Sequence, residues 1–164
     1  MEFEFGPALL AGLIAGVVME LPAMMMMVTG VRMQMDINRT WGTMVGIHDM
    51  PGRIVGFLIH LMISAVVGLI YAWGFDVIFN ADDDLWLWGL LGGAIHWVIA
   101  GIFMGMLPAM HPEIPEKQPA PGLFVKNFGM PDAPGFLMGH LLYGLTFGIL
   151  YGLFHSLGGA EIAF

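Results

Sequence analysis

The sequence MELPAMMMM at residues 19–27 places one carboxylate, Glu20, in a stretch that is otherwise apolar. A charged side chain in hydrocarbon costs about 2.5–3.5 kcal/mol on insertion scales, so it is usually partnered, protonated or functional. Two interpretations of Glu20 stay open at this stage. It either tunes the charge of a functional site and exchanges a proton there, or it is a neutral acid hydrogen-bonded to a histidine or to the carbonyl that Pro22 leaves free.

His60 and His140 stand at equivalent places in two similar stretches, 80 residues apart. If both face a common axis, the two imidazoles could ligate one metal ion, or bind one haem b iron from both sides. Alternatively, each ring hydrogen-bonds a helix carbonyl, a Tyr or a Ser, because polar side chains also join helices in lipid. His96 is expected at a depth similar to that of Glu20, so it is a candidate partner for the charge or proton of that acid.

Met106 and Met110 are four residues apart, so on a helix both thioethers share one face, and His111 follows directly. Met24 is the counterpart of Met110 in an earlier copy of the sequence LPAM. The chain has no Cys, so a thiolate site is excluded. Thioether and imidazole ligands without thiolate suit Cu(I) better than zinc or magnesium. Methionine also fills irregular gaps in cores, which is the alternative explanation of these residues.

Long apolar segments must position these side chains. Hydrophobic residues make up 58% and charged residues 11% of the chain, and the mean hydropathy is +0.81, which is far outside the range of soluble domains. Crossing a hydrocarbon core takes about 20 residues, and only helices or closed barrels satisfy the backbone there. Continuous apolar runs therefore predict an all-α integral membrane protein with four transmembrane helices, at about 7–29, 54–75, 85–108 and 134–155.

The chain also matches itself when it is shifted by 80 residues. Seven positions align without a gap and include the pattern M-P-x8-H-x7-G-x2-Y, which covers 50–71 and 130–151. A shift of 86 brings the two copies of LPAM, 21–24 and 107–110, onto each other. We therefore predict a four-helix bundle of two tandem helical hairpins, residues 1–81 and 82–164, which run parallel and are related by a pseudo-twofold axis along the membrane normal.

The basic residues predict the orientation of these hairpins. All five lie in the two long connecting segments, and they are Arg32, Arg39, Arg53, Lys117 and Lys126. By the positive-inside rule, loops 30–53 and 109–133 are then cytoplasmic, and both termini face outside the plasma or inner membrane. Besides lipid, the expected partners are other protein chains, because glycine-rich helix faces favour packing into a homo-oligomer or into a larger membrane complex. The net charge of −8 argues against nucleic acid.

These observations predict a transition-metal site, with Cu(I) as the favoured ion, in the cytoplasmic half of the bundle. Glu20 and His96 would tune its charge or exchange a proton. A b-type haem held by His60 and His140 is one alternative, and a non-catalytic accessory subunit without any ligand is another. No sequence signature of a soluble-type enzyme occurs, so catalysis by the chain alone is not expected. The predicted metal ligands are His60, His140, Met24, Met106, Met110 and His111.

Overall fold

The computed structural model describes residues 2–79, 81 and 83–161, with side chains as far as Leu157. Within these residues the fold is all helical and has no strand. The predicted boundary between the two hairpin units falls at Asp82, which lies outside the described residues, as do the last residues of the second unit, 162–164. The α-helices in chain order are α1 Phe5–Val18, α2 Leu21–Val28, α3 Ile37–Met44, α4 Asp49–Trp73, α5 Leu85–Met110 and α6 Asp132–Glu161.

Four helical segments of the described chain are long and apolar enough to cross a membrane: Phe5–Val28, Asp49–Ile78, Leu85–Met110 and Asp132–Leu157. They coincide with the four predicted segments, so the prediction of four long apolar helices is confirmed. The second long helix, α4, begins at Asp49 and not at about residue 54 as predicted. An acid in the first turn is stabilised by the positive end of the helix dipole, which favours this earlier start. A π-helical turn, Gly74–Ile78, extends the other end of α4.

The first apolar segment is broken between α1 and α2, at Met19 and Glu20. Pro22 stands in the first turn of α2, where its missing N–H does no harm, but it cannot donate back to α1. Pro108, in contrast, lies within α5, which continues to Met110. The break therefore places Glu20 at a helix interruption, while the second copy of LPAM ends a continuous helix.

Glycine faces pack α1 against α4 and α5 against α6. A Cβ at Gly12 would lie 2.9 Å from the Ser64 carbonyl oxygen and 3.1 Å from the Gly68 Cα. A Cβ at Gly144 would collide with the Gly89 carbonyl oxygen. Such close backbone approach is possible only where side chains are absent or very small. As residue numbers rise along the first helix of each pair, the numbers of the residues it contacts on the second helix fall. Both pairs are therefore antiparallel hairpins.

The hairpins meet where α1 packs along α6. At one end the Glu4 N–H donates to the Tyr151 hydroxyl at 3.1 Å, and the Glu4 carboxylate lies 2.7 Å from Nδ1 of His155. At the other end Gly139 lies beside the Met19 carbonyl. Because α6 is antiparallel to both α1 and α5, the two hairpins run in the same direction. The first and last described segments therefore lie at the same end of the bundle.

Aromatic rings fill the bundle toward the end that holds Glu4. Tyr143, Phe147 and Tyr151 of α6 are fully buried, and the last two stack with 5.4 Å between ring centroids. Tyr71 of α4 meets Tyr143 edge-on at 5.5 Å. The Tyr143 hydroxyl donates to the Ser64 carbonyl at 2.6 Å, which joins α6 to α4. These rings separate the polar centre of the bundle from the end that holds Glu4 and His155.

At the opposite end the two connecting segments, residues 30–48 and 111–131, fold together into what we call the cap. Its helix α3 was not predicted, although Asp36 is a typical N-cap residue and accepts the Arg39 N–H at 2.9 Å. Asp132, which is only 1% exposed, accepts the N–H groups of Gln34 and Met35 at 3.2 and 2.6 Å. The cap is thus anchored to the start of α6.

Glu113 is the centre of the polar network that joins the two segments of the cap. Its carboxylate lies 2.7 Å from Nε2 of His48 and accepts the Gln118 amide at 3.0 Å and the Lys117 ammonium at 3.4 Å. The Gln118 amide also donates to the Thr43 hydroxyl at 2.8 Å. The hydrogen bond to His48 contributes most to stabilising the ionised acid, and with these partners the pKa of Glu113 falls from 4.5 to about 2.

Candidate functional site

Glu20 uses both of its carboxylate oxygens in hydrogen bonds to other helices. One oxygen lies 2.8 Å from Nδ1 of His60 on α4, and the other accepts the Asn38 amide of α3 at 2.8 Å. The Glu20 side chain is 12% exposed and that of His60 is 14% exposed. A carboxylate withdrawn from water requires such partners. Of the partners predicted for Glu20, the structure therefore selects His60 and not His96.

His60 and His140 are each anchored through Nδ1. The Nδ1 of His140 lies 2.7 Å from the Phe136 carbonyl oxygen, and since a carbonyl can only accept, this nitrogen carries the proton. If the Glu20 side chain is a carboxylate and the His60 ring is neutral, Nδ1 of His60 is likewise the donor. The free lone pair of each neutral ring is then on Nε2. Among the described residues neither Nε2 atom has a hydrogen-bond partner.

His96 of α5 completes a group of three histidines, His60, His96 and His140, which we call the imidazole cluster. The rings of His96 and His140 meet edge-on with 4.7 Å between their centroids. Among the described residues no ring contact joins His60 to either of the other two histidines, so His60 belongs to the group as a neighbour at longer range. Within the described part of the chain, the buried Nδ1 of His96 has no hydrogen-bond partner. Most buried polar atoms have a hydrogen-bond partner, and a neutral imidazole can leave one nitrogen unprotonated, so this nitrogen is a possible electron-pair donor.

The predicted thioether ligands do not join this cluster. Met24, Met106 and Met110 are 52%, 53% and 51% exposed on the outside of the helices, whereas His140 is 5% exposed. The four consecutive methionines explain the position of Met24 in part, because adjacent residues of a helix point in different directions. A site built on the cluster therefore contains imidazoles and leaves these three methionines out.

His111, the remaining predicted ligand, belongs to the cap. Its Nε2 donates to the Thr40 carbonyl at 2.9 Å, and its Nδ1 accepts the Glu113 N–H at 3.1 Å. With both ring nitrogens used and only 4% exposure, His111 would have to break a buried hydrogen bond to bind an ion. Its role in the described structure is to join the cap segments.

The imidazole cluster offers lone pairs and is not a closed metal site. Across residues 2–79, 81 and 83–161, no three His, Cys, Asp or Glu side chains are gathered tightly enough to hold a metal ion. An ion bound there would take two imidazoles, or would draw the rings together as it binds. Imidazole suits copper, zinc, iron and nickel, so the donors restrict the class of ion without selecting one.

Asn38 and Tyr71 are the polar residues of this region that sequence reasoning did not assign to a site. Asn38 comes from a loop helix, and nothing local indicates that its amide reaches Glu20. Tyr71 did carry a signal, because it shares a helix face with His60 and recurs in the shifted alignment. Within the described residues its buried hydroxyl has no hydrogen-bond partner, and its ring lies 6.3 Å from His96.

No protein family model, no curated protein and no solved structure matches this chain.

Proposed function

We propose that the chain is an integral membrane protein whose four long helices cross the bilayer. Support comes from the outer face of α4, where apolar side chains at every fourth position are each more than half exposed. In water such a continuous apolar surface would be a liability, whereas lipid solvates it. The exposed residues of this stripe are Ile54, Leu58, Met62, Val66 and Ile70.

We also propose that the two hairpins are repeats of one unit. In the first hairpin Gly12 packs against Ser64 and Gly68. In the second hairpin Gly89 packs against Gly144 and Gly148, which lie 80 residues after Ser64 and Gly68. By these contacts the first helices of the two hairpins correspond with a shift of 77 residues. The two LPAM copies require a shift of 86, and the nine extra residues amount to about 14 Å along a helix. The glycine contacts therefore support the repeat, whereas the two LPAM copies do not lie at equivalent heights in the two hairpins.

The function that the geometry supports best is binding of a transition-metal ion by the imidazole cluster within the membrane, and copper is the first of the candidate ions to test. The observation that carries this proposal is the anchoring of His60 by Glu20 and of His140 by the Phe136 carbonyl. Ligating histidines almost always donate their second ring nitrogen to a carboxylate or a carbonyl, which fixes the tautomer and orients the lone pair. His60 and His140 would supply Nε2 as ligands, and His96, whose ring meets that of His140, would be a third donor.

Metal analysis of the purified protein tests this function. After expression with added copper and removal of loosely bound ions, we expect about one bound ion per chain, or per pair of chains if the site is shared. The His60→Ala/His140→Ala double variant should lose it. His155→Ala, which removes a histidine at the other end of the bundle, and Met106→Leu/Met110→Leu, which changes exposed thioethers, should both keep it.

Three results would redirect the proposal. A Soret band that disappears in the His60→Ala/His140→Ala variant would assign the imidazoles to haem b. Protein that remains free of copper, zinc, iron and nickel after loading, but purifies with fixed partner proteins, would favour the accessory subunit. Metal that stays bound in the double variant would place the site elsewhere in the molecule.

A further inference from the structure

We propose that Asn38 is a positioning residue, which orients the metal-facing nitrogen of His60 by acting through Glu20. This inference rests on the metal-binding function proposed above and deepens it. The hydrogen bonds run from the Asn38 amide to Glu20 at 2.8 Å and from Nδ1 of His60 to the same carboxylate at 2.8 Å. Among the described residues Asn38 forms no hydrogen bond with a proposed ligand, so its hydrogen-bonded route to the ion passes through Glu20.

Among the described residues, two hydrogen-bond partners hold the Glu20 carboxylate, Asn38 and His60. It precedes α2 at the break in the first apolar segment, and its side chain caps no helix N–H there. If Asn38 released it, the carboxylate could rotate and His60 would lose the fixed acceptor for Nδ1. An imidazole without that acceptor is free to exchange tautomers, which moves the lone pair from Nε2 to Nδ1.

Asn38 is itself held at a defined place on α4, next to His60. A Cβ at Gly56 would collide with the Asn38 carbonyl oxygen, so only glycine allows α3 to lie this close. Gly56 precedes His60 by four residues, which is one helical turn and the same helix face. Asn38 and His60 are thus positioned by one surface of α4, with Glu20 between them.

The contact also connects the proposed site to the cap. Two residues after Asn38, Thr40 offers its carbonyl to His111, and Thr43 further along α3 bonds to Gln118. These contacts fix α3 to the second connecting segment. Any movement of the cap that displaces α3 would therefore carry Asn38 away from Glu20, and the orientation of His60 would follow.

Nitrogen NMR of the histidine rings tests the positioning role in metal-free protein. With labelled histidine, and the His60 signals assigned by loss in His60→Gln, we expect the wild type to show a single Nδ1–H tautomer at His60. Asn38→Ala should shift the His60 signals toward a mixture of tautomers, and Gly56→Ala should do the same by displacing α3. Asn127→Ala, which removes an exposed asparagine of the same cap, should change nothing at His60.

Unchanged His60 signals in Asn38→Ala would overturn the inference, whether or not the protein binds metal. Signals of His155, at the far end of the bundle, show whether the variant has kept its fold. If the metal function holds, copper affinity should fall in Asn38→Ala, by less than the roughly 10- to 100-fold that loss of the ligand's own partner, Glu20, would cost. Asn38→Gln, which retains the amide donor, should recover part of that loss, and equal loss in both variants would contradict the role.

Discussion

At the scale of single residues, two carboxylates, Glu20 and Glu113, each organise a network of side-chain hydrogen bonds. Glu20, His60 and Asn38 form one hydrogen-bonded chain, and Glu113 with its partners forms the second, in the cap. Both carboxylates are nearly withdrawn from solvent and both are hydrogen-bonded through each oxygen. The difference between them lies in the exposure of the neighbouring imidazole, because the His60 side chain beside Glu20 is 14% exposed and the His48 side chain beside Glu113 is 54% exposed.

The Glu113 network predicts a pH-dependent stability of the cap. Because its hydrogen bonds, first of all the one to His48, lower the pKa from 4.5 to about 2, the folded protein holds the ionised acid more strongly than the unfolded chain does. That stabilisation is complete above about pH 4.5 and is lost as the pH falls toward about 2. The difference in Tm between wild type and Glu113→Gln should therefore narrow over this interval.

Thermal unfolding in detergent, followed by circular dichroism at a series of pH values, measures that difference. Glu116→Gln, at an exposed position of the same segment, is the matched control and should follow the wild-type curve. A gap between wild type and Glu113→Gln that stays constant down to about pH 2 would show that the network does not depend on the charge of Glu113.

At the scale of helices, the glycine faces determine which helices are neighbours. Gly144 is the clearest case, since a Cβ there meets the backbone of Gly89 and no flexible side chain can yield. Gly144→Ala should destabilise the protein by about 1–3 kcal/mol, as expected when atoms are forced into a packed interface. Gly6→Ala is the control, because its Cβ would meet nothing within 4 Å and alanine favours a helix.

Denaturation of the two variants in mixed detergent micelles gives the comparison. Gly144→Ala should unfold at a lower denaturant fraction than wild type, and Gly6→Ala at the same or a higher one. If both glycines tolerated alanine equally, the close contact between α5 and α6 would not contribute to stability.

Sequence patterns predicted the long helices because each apolar run is longer than the hydrocarbon core is thick, and this signal is local. They did not predict α3, because a helix of eight residues is too short to show a clear apolar periodicity. The same limit applies to the site. His60 and His140 were found through the repeat, but Asn38 reaches Glu20 only because the loop folds back onto α4. Exposure of Met106 and Met110 also depends on which face of α5 meets α6, and spacing alone does not reveal it.

At the scale of the whole molecule, the cap lies at one end of the bundle and the first and last described segments lie at the other. The contact between Glu4 and His155 puts the first and last described segments together, and the sequence predicts that this end faces outside. Since the chain has no Cys, single cysteines report the orientation directly. With a membrane-impermeant maleimide on intact cells, Glu2→Cys should be labelled and Glu116→Cys should not.

Permeabilised cells provide the control for this experiment, because both cysteines should then react. Labelling of Glu116→Cys alone on intact cells would show that the orientation is the reverse of the predicted one, with the cap on the outer side of the membrane. Labelling of both residues without permeabilisation would contradict the proposal that the bundle spans the membrane with its ends separated.

X-ray absorption of the copper-loaded protein tests the central claim most directly, because it reports the ligands of the ion. The imidazole cluster predicts scattering from histidine rings with no sulfur in the first coordination shell, and loss of the ring signal in His60→Ala/His140→Ala. A copper–sulfur contribution that persists in that variant and disappears in Met106→Leu/Met110→Leu would place the ion on the methionine surface and contradict the account.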